Sequence, residues 1–207
     1  MALPAIKEML ITVFKTVMRF SFTIVCAIAA TITIVLLMDL QHSDTAQQYL
    51  LMRIVMVLYI GLIAGISIAL TGERFRLNKG LLIAMYILLM MLMYFYFIHI
   101  PGKPNSNAIA RFFLLILALH ALVAFAPFLV RCPPNGYWQY NRQLFIRILT
   151  SFFYSFVLFV GLFLALFAIN QLFNVSLENT IYIKLYVVIM GIFNTTFFLS
   201  KIGRAHV

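Results

Sequence analysis

The sequence predicts an all-α protein, a polytopic transmembrane bundle of about six spanning helices with both termini in the cytoplasm. Three observations carry this prediction. Of the 207 residues, 65% are hydrophobic and only 10% are charged, whereas an ordinary soluble domain is about half apolar and about a quarter charged. The apolar residues gather into six charge-poor runs, each near the roughly 20 residues that a helix needs to cross about 30 Å of hydrocarbon. Runs such as 81–97 are apolar on every side, unlike the period-two alternation of a membrane β-barrel strand.

The first span covers residues 20–38, between Arg19 and Asp39, and the second covers 54–70, between Arg53 and Glu73. The third, 81–98, is closed by the turn Pro101-Gly102-Lys103-Pro104, and the fourth, 112–130, lies between Arg111 and Arg131. The fifth, 148–169, follows Arg147, and the sixth runs over 181–199 with Lys184 near its start. A lysine at mid-bilayer costs about 2.5 to 3.5 kcal/mol on insertion scales, so Lys184 is expected to snorkel to the headgroups. Residues 1–19 form a separate cytoplasmic segment. It reads either as an amphipathic interfacial helix or as a plain extension of the first span.

Ala27-Ile28-Ala29 has the small-x-small pattern of a signal-peptide cleavage site. Cleavage there would leave only about eight apolar residues, too short for a spanning helix, and the run continues unbroken to Met38, which favours an uncleaved anchor.

Orientation follows from the excess of Lys and Arg in cytoplasmic loops. One side carries Lys7, Lys15, Arg19, Arg74, Arg76, Lys79, Arg131, Arg142 and Arg147; the other carries Arg53, Lys103, Arg111 and Lys184. The first side is placed inside. The net charge of +10 therefore belongs to membrane-surface loops, with no basic fold or motif for nucleic acid. Cys26 lies in an apolar run and Cys132 in a basic linker, a pair unsuited to a disulfide or a zinc site.

Several residues invite function. His120 sits deep in the fourth span and Asn194 in the sixth. An ionisable group inside a span is a functional candidate because lipid burial is costly, and His120 reads either as a structural residue bonded to a neighbouring helix or as a proton-handling or ligand residue. All five acids lie outside the spans or at their ends, which disfavours a proton relay through membrane carboxylates. Tyr137, Trp138, Tyr140, Arg142 and Arg147 precede the fifth span. Such rings and guanidinium groups suit the headgroup region, as anchors or as a recognition site for anionic lipid headgroups or a partner protein. Gly61 and Gly65 form a GxxxG motif, and Gly161 with Ala165 a looser small pair; both let helix backbones approach closely, within the chain or in a homodimer. Pro127 predicts a kink near the end of the fourth span. Gln41, His42 and Asp44 make a small polar group with too few partners for a metal site. There is no phosphate loop, no H-E-x-x-H, no G-x-S-x-G and no carboxylate pair within one span, so no catalytic residue, metal or cofactor is implied.

The segment Pro133-Pro134-Asn135-Gly136-Tyr137-Trp138-Gln139-Tyr140-Asn141-Arg142-Gln143, together with Gly191-Ile192-Phe193-Asn194-Thr195, resembles bacterial multi-pass membrane proteins of domain-of-unknown-function family 4153. The resemblance is strongest over 133–199, with Arg19-Phe20-Ser21 a weaker echo. It implies an inner-membrane location and a longer chain with further spans, and it brings no catalytic residue. The tail Lys201-Ile202-Gly203-Arg204-Ala205-His206-Val207 resembles a translated sequencing adapter, so residues 1–200 are expected to be a fragment. Three functional readings remain open: a membrane scaffold, a permease-like bundle whose polar path further helices complete, and an anchor whose cytoplasmic loops bind a partner or anionic lipid. A membrane-embedded enzyme ranks behind them.

Overall fold

A computed structural model describes residues 14–40, 45–128, 134–173 and 177–202. Six helices run through them: α1 (Ser21–Asp39), α2 (Thr45–Arg74), α3 (Lys79–His99), α4 (Ser106–Phe125), α5 (Pro134–Phe173) and α6 (Asn179–Lys201). All six are long and apolar enough to cross a membrane, and no strand occurs among the described residues. Helices satisfy their own backbone groups, the condition for placing them in lipid.

The boundaries depart from the sequence expectation where local chemistry decides. Residues 14–19 are helical, and a bend at Phe20 separates them from α1. Asn78 and Asn105 cap α3 and α4, their side-chain oxygens accepting from the backbone N–H groups of Leu81 and Ala108 at 2.7 and 2.9 Å; each satisfies an otherwise orphaned donor. The α-helical part of the fourth span stops at Phe125, and Pro127 sits in a short 3-10 turn, Ala126–Phe128. Ala126 keeps helical geometry, but Pro127 has no N–H to donate to the Val123 carbonyl four residues back, so the α-helical ladder ends here. The segment carrying Tyr137, Trp138 and Tyr140 is not a linker but the first turns of α5, a single helix of 40 residues and so about 60 Å long.

Helix α2 is the axle of the bundle. It packs against α1, α3 and α4, while α6 packs on α1 and α5 packs chiefly on α6. The α1 face that meets its neighbours is built from small residues, with Thr23, Cys26, Ala27, Ala30 and Thr31 all buried. A Cβ added at Gly65 would lie 2.8 Å from Thr23 Oγ1, and one at Gly61 would lie 3.1 Å from Cys26 Sγ and 2.6 Å from Met93 Cε. The GxxxG motif thus seats α2 against α1 and α3. Van der Waals contact between closely approaching backbones is the main association force where lipid surrounds the helices.

Polar pairs fix both ends of α1. Arg19 donates through Nε and Nη2 to the two carboxylate oxygens of Glu73 at 2.5 and 2.6 Å, and through Nη1 to the carbonyl of Ile202 at 2.5 Å. The last acceptor is a backbone group that any residue at 202 supplies. At the far end Lys184 pairs with Asp39. The sequence places Lys184 at the headgroups without naming a partner; the structure adds a carboxylate, Asp39, because α6 starts where α1 ends. Arg19 and Asp39 lie 20 positions apart, about 30 Å along a helix, which matches the hydrocarbon thickness. At that same far end Arg53 donates to the Phe97 carbonyl at 2.7 Å and lies over the Phe97 ring, tying α2 to α3.

Two outcomes follow. Gly65→Leu forces Thr23 and Phe22 aside and is expected to cost about 1 to 3 kcal/mol in overpacking, whereas Gly161→Leu, with nothing within 4 Å of its Cβ position, is expected to stay within about 0.5 kcal/mol; thermal unfolding in detergent compares them. Glu73→Gln removes the charge from a bidentate pair that is only partly screened and is expected to cost about 1 to 2 kcal/mol by the same assay.

Candidate functional site

On α5 the two fully buried side chains are serines, Ser151 and Ser155, while most of its phenylalanines and leucines are exposed. This inversion suits a helix surrounded by lipid, where apolar side chains gain nothing by turning inward and polar ones need partners. Spaced i, i+4, the serines share one face. Their partner is Asn194 on α6. Ser151 Oγ donates to Asn194 Oδ1 and to its carbonyl at 2.5 and 2.9 Å, and Ser155 Oγ donates to the Ser151 carbonyl at 2.8 Å and to Asn194 Oδ1 at 3.2 Å.

Asn194 is presented by a distortion of its helix. Residues Ile189–Phe193 form a π turn, in which the Asn194 N–H donates to the Ile189 carbonyl. The widened turn brings Gly191 against Thr31 of α1, so closely that a Cβ at 191 would collide with the threonine hydroxyl. Thr31 Oγ1 donates back to the Ala27 carbonyl at 2.8 Å. One face of the distorted segment therefore meets α1, and Asn194 meets α5. Single π turns inside α-helices occur frequently at functional sites.

Beside this network lies a cavity of about 370 Å³, bounded by α2, α4, α5 and α6. Leu62, Ile63, Ile66, Val123, Leu144, Ile148 and Phe198 supply its apolar wall, and His120, Ser151, Asn194 and Thr195 its polar groups. His120 and Asn194, 74 positions apart in the chain, thus line one space. His120 Nδ1 lies 2.8 Å from the carbonyl of Ile116 in its own helix, not against a neighbouring helix as expected from sequence. The i−4 carbonyl is within reach of any helical imidazole, so no second helix is needed, and the ring stands exposed. Arg142 and Arg147 do not line the cavity.

The aromatic group at the start of α5 divides by face. Tyr137 and Tyr140 stack edge-on against Phe128, with ring centroids 5.6 and 5.2 Å away, and Tyr140 Oη donates to the Val123 carbonyl at 3.2 Å. These two tyrosines join α5 to the end of α4. Trp138 and Arg142 point outward and are exposed, while Arg147 donates to Gln143 of its own helix at 3.2 Å. Gly161 and Ala165 stand exposed on α5, and among the described residues nothing lies within 4 Å of a Cβ placed at Gly161. Gln41, His42, Asp44 and Cys132 lie outside the described residues, and no group of three metal-ligating side chains occurs among the described ones.

Sequence reasoning passed over Ser151, Ser155 and Thr195. Two serines spaced i, i+4 in an otherwise apolar span were the available signal, since hydroxyls at that spacing glue membrane helices together. The class defined by these features is a six-helix membrane-type bundle with a polar patch in an apolar cleft. Comparison of the chain with protein-family models, with curated proteins and with solved structures gives no match in any of the three.

Replacing both serines by alanine leaves Asn194 Oδ1 without its described donors and is expected to destabilise the α5–α6 contact by about 1 to 2 kcal/mol, each interhelical hydrogen bond in a membrane averaging roughly 0.6 kcal/mol. Thermal unfolding in detergent, with Ser200→Ala as the control outside the network, measures it.

Proposed function

We propose that this protein is a multi-pass protein of the bacterial inner membrane, with the Arg19 end of the bundle in the cytoplasm, and that its working centre is the cleft between α4 and α5. The observation that carries the reading is the convergence of His120, Ser151, Asn194 and Thr195 from three helices on one cavity. Polar groups inside a membrane are expensive and are commonly retained for function. The orientation rests on the basic residues gathered at one end, where Arg19, Arg74 and Arg142 lie beside the ends of α2 and α4 and the start of α5.

In this reading the tightly packed α1–α2 unit is the scaffold, and α4, α5 and α6 shape a cleft that receives a molecule from the bilayer. The proposal extends to membership of domain-of-unknown-function family 4153, on the strength of the 133–143 and 191–195 segments. A permease-like path is the second reading, favoured by the π turn that presents Asn194, because distorted helices recur at transporter sites. A subsidiary role falls to Trp138 and Arg142, whose shared outward face suits anionic headgroups at about 1 kcal/mol per arginine near the surface.

Nitroxide labels at Leu144 and Thr195, in protein reconstituted into bilayers, separate the two readings. A lipid-facing cleft gives frequent collisions with oxygen and rare ones with a water-soluble nickel chelate; a water-filled path gives the reverse. For orientation, a cysteine at Arg142 is expected to react with an impermeant maleimide only after the cells are opened, and one at Lys103 to react in intact cells.

A further inference from the structure

The cleft polar groups are specific in what they offer. Asn194 Oδ1 is taken up by Ser151 and Ser155, and its Nδ2 donates to no described residue while Asn194 lines the cavity. His120 Nδ1 is engaged by the Ile116 carbonyl. In the neutral imidazole that arrangement puts the proton on Nδ1 and leaves a lone pair on Nε2. The cleft therefore presents an amide donor and an imidazole acceptor, with the hydroxyl of Thr195 beside them and no charged side chain in the wall.

Depth narrows the ligand further. His120 lies eight residues from Phe128, Ser151 four from Arg147 and Asn194 seven from Lys201. At 1.5 Å per residue these separations put the patch about 6 to 12 Å inside the bundle's end. That is below the headgroups and short of the centre of a roughly 30 Å hydrocarbon layer. A phosphate or ammonium group at that depth would be uncompensated and costly. Access is lateral: His120 is exposed while lining the cavity, and α4 and α5 meet mainly at their ends, where Tyr140 reaches Val123. The volume of about 370 Å³ falls within the usual range of small-molecule sites, about 300 to 1,000 Å³.

We propose that the cleft binds the hydroxyl end of an uncharged, lipid-soluble alcohol that enters from the bilayer between α4 and α5. A hydroxyl donates to His120 Nε2 and accepts from Asn194 Nδ2 with one oxygen, whereas a ketone or ether oxygen can only accept. The proposal rests on the cleft reading above, and its test keeps the two apart.

The full chain is reconstituted in lipid nanodiscs and irradiated with three diazirine probes of equal chain length: a long-chain primary alcohol, its methyl ether and the parent alkane. Labelled peptides are mapped by mass spectrometry. The alcohol is expected to label cleft peptides of α4, α5 and α6 about fivefold or more above the ether, the difference that one net hydrogen bond of about 1 kcal/mol gives. His120→Phe leaves the serine network intact and is expected to remove most of that preference while alkane labelling stays unchanged. Asn194→Leu removes the donor that alcohol and ether oxygens share, so it is expected to lower labelling by both while the alcohol stays ahead, and it is read only if its unfolding temperature is retained. Equal labelling by all three probes in the cleft overturns the alcohol proposal alone. Absence of cleft labelling by the alkane as well overturns both the proposal and the lipid-facing cleft.

Discussion

The closeness of α1 to α2 is the constraint on which the rest of the bundle depends. Between helices in lipid there is no water to expel, so attraction comes from contact, and contact requires backbones to approach. Gly61 and Gly65 remove the side chains that would hold the helices apart, and α1 answers with Thr23, Cys26, Ala27 and Ala30. Arg19 and Glu73 then set the register at one end of this pair, where Phe20, Ile24, Ile66 and Leu70 form part of the main buried cluster.

From that pair the other helices take their places, each burying far less of itself than α1 or α2 does. Helix α6 reaches α1 through Gly191 against Thr31 and through Lys184 at Asp39. Helices α3 and α4 flank α2 and bury little: Leu89 on α3, Ala108 and Val123 on α4. Helix α5 is held by its serines on α6 and its tyrosines near Phe128. The cleft is a consequence of this arrangement. Where α5 leans on α6 and only its first turns meet α4, a space remains that is floored by α2.

The same economy explains why polar residues cluster where they do. A hydroxyl or amide buried in hydrocarbon without a partner is costly, so Ser151, Ser155 and Asn194 satisfy one another. The π turn before Asn194 sets how the side chain meets that network. Its amide nitrogen is left over, and it lines the cleft with His120.

The six spans, their approximate limits and the basic asymmetry of their loops were legible in the chain, because length and hydropathy alone decide whether a helix can cross a bilayer. The GxxxG motif was equally legible as a close-packing site, since only glycine permits that approach. Its partners were not, because lipid-facing and helix-facing positions are both apolar in a membrane and periodicity no longer marks the inside. For that reason the sequence treated Gly161 and Ala165 like Gly61 and Gly65, although the former pair stands exposed. Only the tertiary structure gave Lys184 its partner in Asp39 and turned the Tyr137–Tyr140 segment into helix. It also brought His120 and Asn194 to one cavity, a meeting set by how α4, α5 and α6 lean on α2 and written in no local pattern.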